Sequence, residues 1–254
     1  MKKILALLLV MTASVSAFVT TNTYTVPGDS DLWLAGMPDG STASVGDVAP
    51  AQSPVLAAGL SLSGVSFLTF AASGGVSNTG QCPSLNCHGP EGGPVTNHFA
   101  TLAENGISDL FAPVNSLIGV FLDNSQPDST PAPATLDFST ALSRDFTTLS
   151  PLLKQAFFIG DGLTSGAVLQ QFNVPLGATR LYLGTMDGFG WFNNNGAFIV
   201  DVTPVTVEDA ERNCVGQTVS AYAKEYGGIK HAVAPRGFSS VQELLDSIKA
   251  GCRR

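Results

Sequence analysis

Arg180-Leu181-Tyr182-Leu183-Gly184-Thr185-Met186-Asp187-Gly188-Phe189-Gly190-Trp191-Phe192-Asn193-Asn194-Asn195-Gly196-Ala197-Phe198-Ile199-Val200-Asp201-Val202 decides the fold class. Both ends alternate apolar and polar residues with a period of two, the signature of a half-buried strand. The middle is rich in Gly and Asn, the residues of turns. The stretch therefore reads as two neighbouring strands joined by a long loop. Outward from it, short apolar runs recur at Leu60–Leu62, Ser66–Ala72, Ser116–Leu122, Ala156–Ile159 and Leu169–Val174, each bounded by Gly, Pro, Asn or Asp. No sustained helical periodicity precedes residue 205, apart from a short turn or helix expected near Leu149–Gln155. Many short strands without intervening helices predict an all-β sandwich or barrel and exclude a βαβ fold. Residues 124–135, with three prolines, read as a surface loop.

With 254 residues and 44% hydrophobic content the chain can bury a true core. Only 13% of residues are charged, which argues against a coiled coil or a charge-rich tail. The net charge of −8 argues against a nucleic-acid or anionic-membrane partner, since both require a basic footprint. The charge is unevenly spread. Residues 18–204 hold 14 acids and only three bases, Arg144, Lys154 and Arg180, whereas residues 205–254 hold seven bases and six acids. A boundary at Thr203-Pro204-Val205-Thr206 separates a large β domain (18–204) from a small helical module (205–254). In that tail a first helix is expected from Gln217 to Tyr226, stopped by Gly227-Gly228. Ser240-Val241-Gln242-Glu243 spells a capping box, with Val241, Leu244, Leu245 and Ile248 on one face and Gly251 as terminator.

Residues 1–17 read as an export signal: Lys2 and Lys3, an apolar run Ile4–Met11, and the cleavage site Val15-Ser16-Ala17, giving Phe18 as mature N-terminus. The expected destination is the periplasm or the medium. Four cysteines in an exported chain read as disulfides, and four allow three connectivities. Local spacing favours Cys82 with Cys87 and Cys214 with Cys252.

The chemistry lies in Asp187–Phe198. One carboxylate and three amides offer oxygen ligands only, which suits Ca²⁺ with its six to eight hard oxygens. Glycines let the backbone aim carbonyls inward. The same residues also suit a plain hairpin loop. The spacing is not that of an EF-hand.

The Met186-Asp187-Gly188 turn and the Asn193-Asn194-Asn195-Gly196-Ala197-Phe198 run resemble the calcium loop of the PA-IL-like galactophilic lectins. Ser53-Pro54-Val55 through Phe70-Ala71-Ala72-Ser73-Gly74-Gly75, Gly89-Pro90-Glu91-Gly92, Leu117-Ile118-Gly119-Val120 and Phe172-Asn173-Val174-Pro175 are similar to further stretches of that family. The resemblance covers roughly residues 53–202 and excludes the tail. It implies a jelly-roll or galactose-binding-like β-sandwich, here with a disulfide-stapled α-helical C-terminal tail. It also implies a non-enzymatic protein whose Ca²⁺ bridges to a carbohydrate, of galactose type in the family. By position, the resemblance assigns Asp187, Asn193, Asn194 and carbonyls near Gly190 and Gly75 (or Val76) to the metal. It places Asp187, Gly188 and Asn193 against the sugar, with His98 the nearest counterpart of the family's contact to the outer hydroxyl; Trp191 joins the expected sugar contacts as an aromatic of the loop itself. Asp187 and Asn193 stand one residue closer than in the family, His98 falls two residues late, and the Cys82–Cys87 stretch is an insertion. Lectins of this kind gain avidity by oligomerising, so a homo-oligomer is compatible with the reading.

Three other chemistries are weaker. Cys82, Cys87, His88 and His98 could ligate zinc if the thiols stayed reduced. Glu91 and Asp109 are carboxylates of the kind a glycosidase pairs, without a spacing that singles them out. A structural or adhesive module with a merely stabilising Ca²⁺ uses the same loop. Trp191 and Phe189 suit either stacking on a sugar or plugging the loop against the sandwich.

Overall fold

A computed structural model of the chain describes residues 20–43, 54–80, 82, 86–99 and 101–253. The expected export signal 1–17 lies outside the described residues. Along the described chain run β1 (Asn22–Pro27), β2 (Val55–Leu56), β3 (Val65–Ser77), β4 (Val95–Asn97), β5 (Leu110–Pro113), β6 (Leu117–Leu122) and β7 (Leu136–Asp137). A short helix α1 (Ala141–Arg144) precedes β8 (Thr148–Leu149), β9 (Ala156–Phe158), β10 (Gln171–Asn173), β11 (Arg180–Thr185) and β12 (Asn195–Thr206). Helices α2 (Val207–Tyr226), α3 (Ile229–Ala232) and α4 (Val241–Cys252) close the chain.

The strands form a five-stranded sheet, β1-β12-β3-β10-β8, a four-stranded sheet, β2-β11-β6-β9, and a small third sheet, β4-β5-β7. The two larger sheets share one core. Phe198, Val200 and Val202 of β12 point into it while Ile199 and Asp201 point away, which is the period of two read in the sequence. Phe157 of the second sheet meets Phe172 of the first at 5.7 Å between ring centroids. All six residues of β6 are buried. A strand can bury both faces only if each is covered. The residues of β6 join the shared core, and a 3₁₀ turn at Leu32–Leu34 also packs on the strand.

The fold is a mostly-β, sandwich-like architecture with a stapled helical tail, and several expected details differ. The third sheet is additional to the two-sheet sandwich. β1 pairs along its whole length with β12, from Asn22 opposite Val202 to Pro27 opposite Ala197, although its sequence is largely polar. An edge strand needs only one apolar face, so periodicity understates it. Leu60–Leu62 is not a strand. Near Leu149–Gln155 the expected turn or helix is a turn, closed by Gln155 N on Leu152 O (3.3 Å), and a short helix, α1, forms earlier, where Thr140 and Ser143 cap each other reciprocally. β12 continues through Pro204 to Thr206, and α2 begins at Val207, ten residues before the expected Gln217. Thr206 Oγ1 accepts from Asp209 N (3.1 Å), and Glu208 and Asp209 sit in the first turn, where the helix dipole favours them. Ser240 caps α4 as expected, but Glu243 reaches one residue further, to the N–H and hydroxyl of Ser239. Gly251 lies inside α4, which ends at Cys252.

All three bases of residues 18–204 serve the backbone. Lys154 Nζ donates to the carbonyls of Thr130 (2.9 Å), Pro131 (2.8 Å) and Pro127 (3.3 Å). Arg180 donates to the carbonyls of Asp123 (2.7 Å) and Ser125 (2.7 Å), and Arg144 to that of Phe138 (2.6 Å). The proline-rich stretch is therefore pinned rather than loose: its prolines remove N–H donors, and two cations gather its carbonyls. Replacing Lys154 by Met is expected to cost about 1–2 kcal/mol, since charged hydrogen bonds at a partly solvated site are lost. Urea denaturation reads the cost, and protease nicking within residues 124–135 localises it.

Candidate metal centre

The loop after β11 is held at its neck. Met186 N donates to Ser116 O (2.9 Å), and Asn115 N donates to Met186 O (2.7 Å). The indole Nε1 of Trp191 donates back to Thr185 O (3.0 Å), tying the far part of the loop to its start. Gly190 adopts the left-handed conformation (φ 77°) that starts the 3₁₀ turn Trp191–Asn193, and Asn194 N closes it on Trp191 O (3.0 Å).

This path gives each expected ligand a distinct setting. Asp187 is buried, and its Oδ1 accepts from Gly188 N (2.7 Å). Asn193 is exposed. Asn194 turns inward: its Oδ1 and Nδ2 are both buried and neither has a hydrogen-bond partner. An amide buried without partners costs roughly 1–3 kcal/mol on mutational scales. A carboxylate and an orphaned amide oxygen on one short loop are donors of the kind that Ca²⁺ accepts, two of the six to eight oxygens it takes.

Three of the expected residues sit in settings of their own. His98 is fully buried between Trp33 (4.0 Å) and Trp191 (5.5 Å), and its Nδ1 bonds Leu102 O (2.9 Å), so it offers no edge to a sugar. Trp191 is fully buried against Trp33 (5.7 Å) and plugs the loop rather than stacking on a ligand. Gly75 lies two residues short of the end of β3, and its carbonyl faces Gly196, where a Cβ would stand 2.2 Å away. The carbonyl of Val76 is taken by His88 N (2.8 Å).

The structure brings in residues that the sequence does not single out. The register pairs Ser77 with Asn195, so Asn78 is one step past the last pair, as Asn194 is on the other strand. Asn78 Oδ1 accepts from Asn115 Nδ2 (3.2 Å), which also bonds His88 Nδ1 (2.9 Å). Asn115 is buried with φ 63°, and its Oδ1 has no partner. A non-glycine residue in the left-handed region is tolerated best by Asn, which is the one sequence-level signal it carries.

Cys82 and Cys87 form a disulfide, which removes the thiols a zinc site would need. Its sulfurs lie over Gly75 and Gly196, whose missing side chains make room for them. Asp109 is buried and accepts from His98 N (3.0 Å) and Leu110 N (2.8 Å). Glu91 instead faces a cavity of about 340 Å³ with Arg144, Asp145 and Asp161, so the structure does not pair it with Asp109. Burial pushes the Glu91 carboxyl above its ordinary pKa, and its Oε1 accepts from Asp161 N (3.0 Å). Asp145 and Asp161 are likewise tied to loop N–H groups, of Ser165 and Leu163. Among the described residues no three His, Cys, Asp or Glu side chains gather as a metal cluster. Compared with known protein-family models and with curated protein sequences, the chain matches none.

Proposed function

We propose that the chain is an exported, non-enzymatic carbohydrate-binding protein that holds Ca²⁺ in the Asp187–Asn194 loop and binds sugar hydroxyls through it. The observation that carries this reading is the buried Asn194 amide, orphaned at both polar atoms on the same loop as the buried Asp187 carboxylate. Bound Ca²⁺ would supply a Lewis-acidic centre that takes two vicinal hydroxyls in place of water. Asp187 would contribute charge and a fixed acceptor, Asn194 a neutral oxygen from within, and exposed Asn193 a donor or acceptor toward the sugar. The acidic domain, with its three bases bonded to backbone carbonyls, favours a cation over an anionic ligand. The two disulfides suit an oxidising compartment, and among the described residues no helix is long and apolar enough to cross a membrane.

The test is a glycan array on residues 18–254 with calcium and again with EDTA, paired with thermal melts. Calcium at a hundredfold excess over Kd stabilises a folded state by about 2.7 kcal/mol, or roughly 5–10 °C for a domain of this size. Asp187→Ala is expected to abolish both that shift and glycan binding. Asn194→Leu separates a ligand from a mere packing defect. In EDTA it is expected to be as stable as the parent or more so, because an orphaned amide is removed. In calcium it is expected to be less stable than the parent. A parent without a calcium shift sinks the metal; a shift without any glycan leaves a structural calcium site.

A further inference from the structure

Three phenylalanines stand exposed around the candidate loop: Phe99 (55%), Phe189 (52%) and Phe192 (62%). The placement of Phe99 follows from a glycine. A Cβ on Gly188 would stand 2.2 Å from the Phe99 ring, so that ring lies directly on the backbone beside Asp187. The Phe192 ring lies near Gly190, where a Cβ would meet it at an ordinary contact distance of 3.5 Å. Phe189 meets Phe99 edge-on at 5.0 Å between centroids. Leu102, also exposed, follows Phe99 in the same turn.

Exposed aromatic rings gathered on one loop and its neighbouring turn offer an interaction surface. Its size selects the partner. With about 200 Å² for a whole Phe, the three rings expose roughly 300–400 Å². That falls well short of the roughly 800 Å² per partner of a stable protein interface. An anionic membrane is disfavoured because the loop carries no base, and Arg144, Lys154 and Arg180 are bonded to backbone carbonyls elsewhere. A pyranose ring suits the patch: it presents an apolar C–H face to the rings while its hydroxyls stay in water. Resting on the calcium-dependent reading, we propose that Phe99, Phe189 and Phe192 form a stacking shelf for a second sugar ring beside the metal-bound one. The ligand class is then an oligosaccharide rather than a free monosaccharide.

The experiment is titration calorimetry in saturating calcium with galactose and mannose, and with melibiose, lactose and mannobiose. A disaccharide is expected to bind about three- to tenfold tighter than its free terminal sugar, the worth of one stacked ring. Phe99→Ala and Phe189→Leu, both at exposed positions, are expected to lose that gain while the calcium-dependent melting shift persists. Equal affinity for mono- and disaccharide, or a gain that survives both substitutions, overturns the shelf and leaves the lectin reading standing. No sugar binding by calorimetry or on the array overturns both. Calcium-dependent binding to phosphatidylserine vesicles that needs the phenylalanines, without a disaccharide gain, overturns the shelf in favour of a membrane contact.

Discussion

Replacing Trp191 with Ala is expected to destabilise the β domain by about 3–5 kcal/mol, the range for truncating a large buried aromatic. For a domain of this size that corresponds to a melting temperature lower by roughly 6–20 °C. Three losses combine. The fully buried indole leaves a cavity against Trp33 and His98. The carbonyl of Thr185 loses its indole donor. The loop loses the tie that returns residue 191 to the end of β11, so Asp187 and Asn194 are no longer held on one fixed path. Calcium affinity is therefore expected to fall even at temperatures where the variant is folded. Phe189→Ala, two residues earlier and half exposed, is expected to cost under about 1 kcal/mol, as exposed substitutions do. Chemical denaturation of the two variants side by side checks the contrast. Equal costs would mean that Trp191 does not plug the loop, and a fall in calcium affinity no larger than that of Phe189→Ala would separate the plug from the metal.

The contrast between those two aromatics shows where the sequence is legible and where it is not. Strands β6, β9, β11 and β12 are visible because their apolar residues recur at the spacing their burial demands. β11 in particular runs over Arg180–Thr185 as read. β1 and α2 are not visible, because one is a polar edge strand and the other is polar over its first two turns. Inside the loop, composition gives a donor set but not the direction of each donor. Asn193 and Asn194 are chemically identical neighbours; a 3₁₀ turn sends one outward and the other inward. His98 reads as a sugar contact because it stands near the position of a family histidine, yet it fills the space between two tryptophans that come from residues 33 and 191. Such a sandwich depends on contacts 65 and 93 residues apart, which no local pattern encodes. Asn78 and Asn115 meet for the same reason: the register of β3 against β12, and the turn before β6, bring them together.

Removing the Cys214–Cys252 disulfide, as Cys214→Ser with Cys252→Ser, is expected to unfold the helical tail and leave the β domain folded. The bond spans 38 residues, and loop-closure entropy assigns such a staple about 4 kcal/mol. The tail has little else. Among the described residues its own cluster buries Ala232, Leu244 and Ile248, with Val215, Val219, Tyr222, Tyr226 and Phe238 among those partly covered. At roughly 1.5–3 kcal/mol per buried aliphatic side chain, Leu244 and Ile248 together supply on the order of 3–6 kcal/mol. The surface contacts add little: Arg253 to Glu211 (2.8 Å) is an exposed ion pair, and Arg236 lies over the Tyr222 ring at 4.3 Å. The staple is thus comparable to the whole apolar gain of the buried pair, and its loss tips the tail's helices toward the coil. Far-UV circular dichroism is expected to lose its helical signal in the double variant, with hydrogen exchange fast throughout residues 207–252 and unchanged in β6, β11 and β12. Cys82–Cys87 closes only five residues and on the same scale contributes roughly 2 kcal/mol. Graded reduction of the parent protein should therefore abolish the tail's helical signal at a reductant concentration that leaves the β domain's near-UV signal intact. Simultaneous loss of both signals would mean that α2 stands on the β domain's packing rather than on its own disulfide.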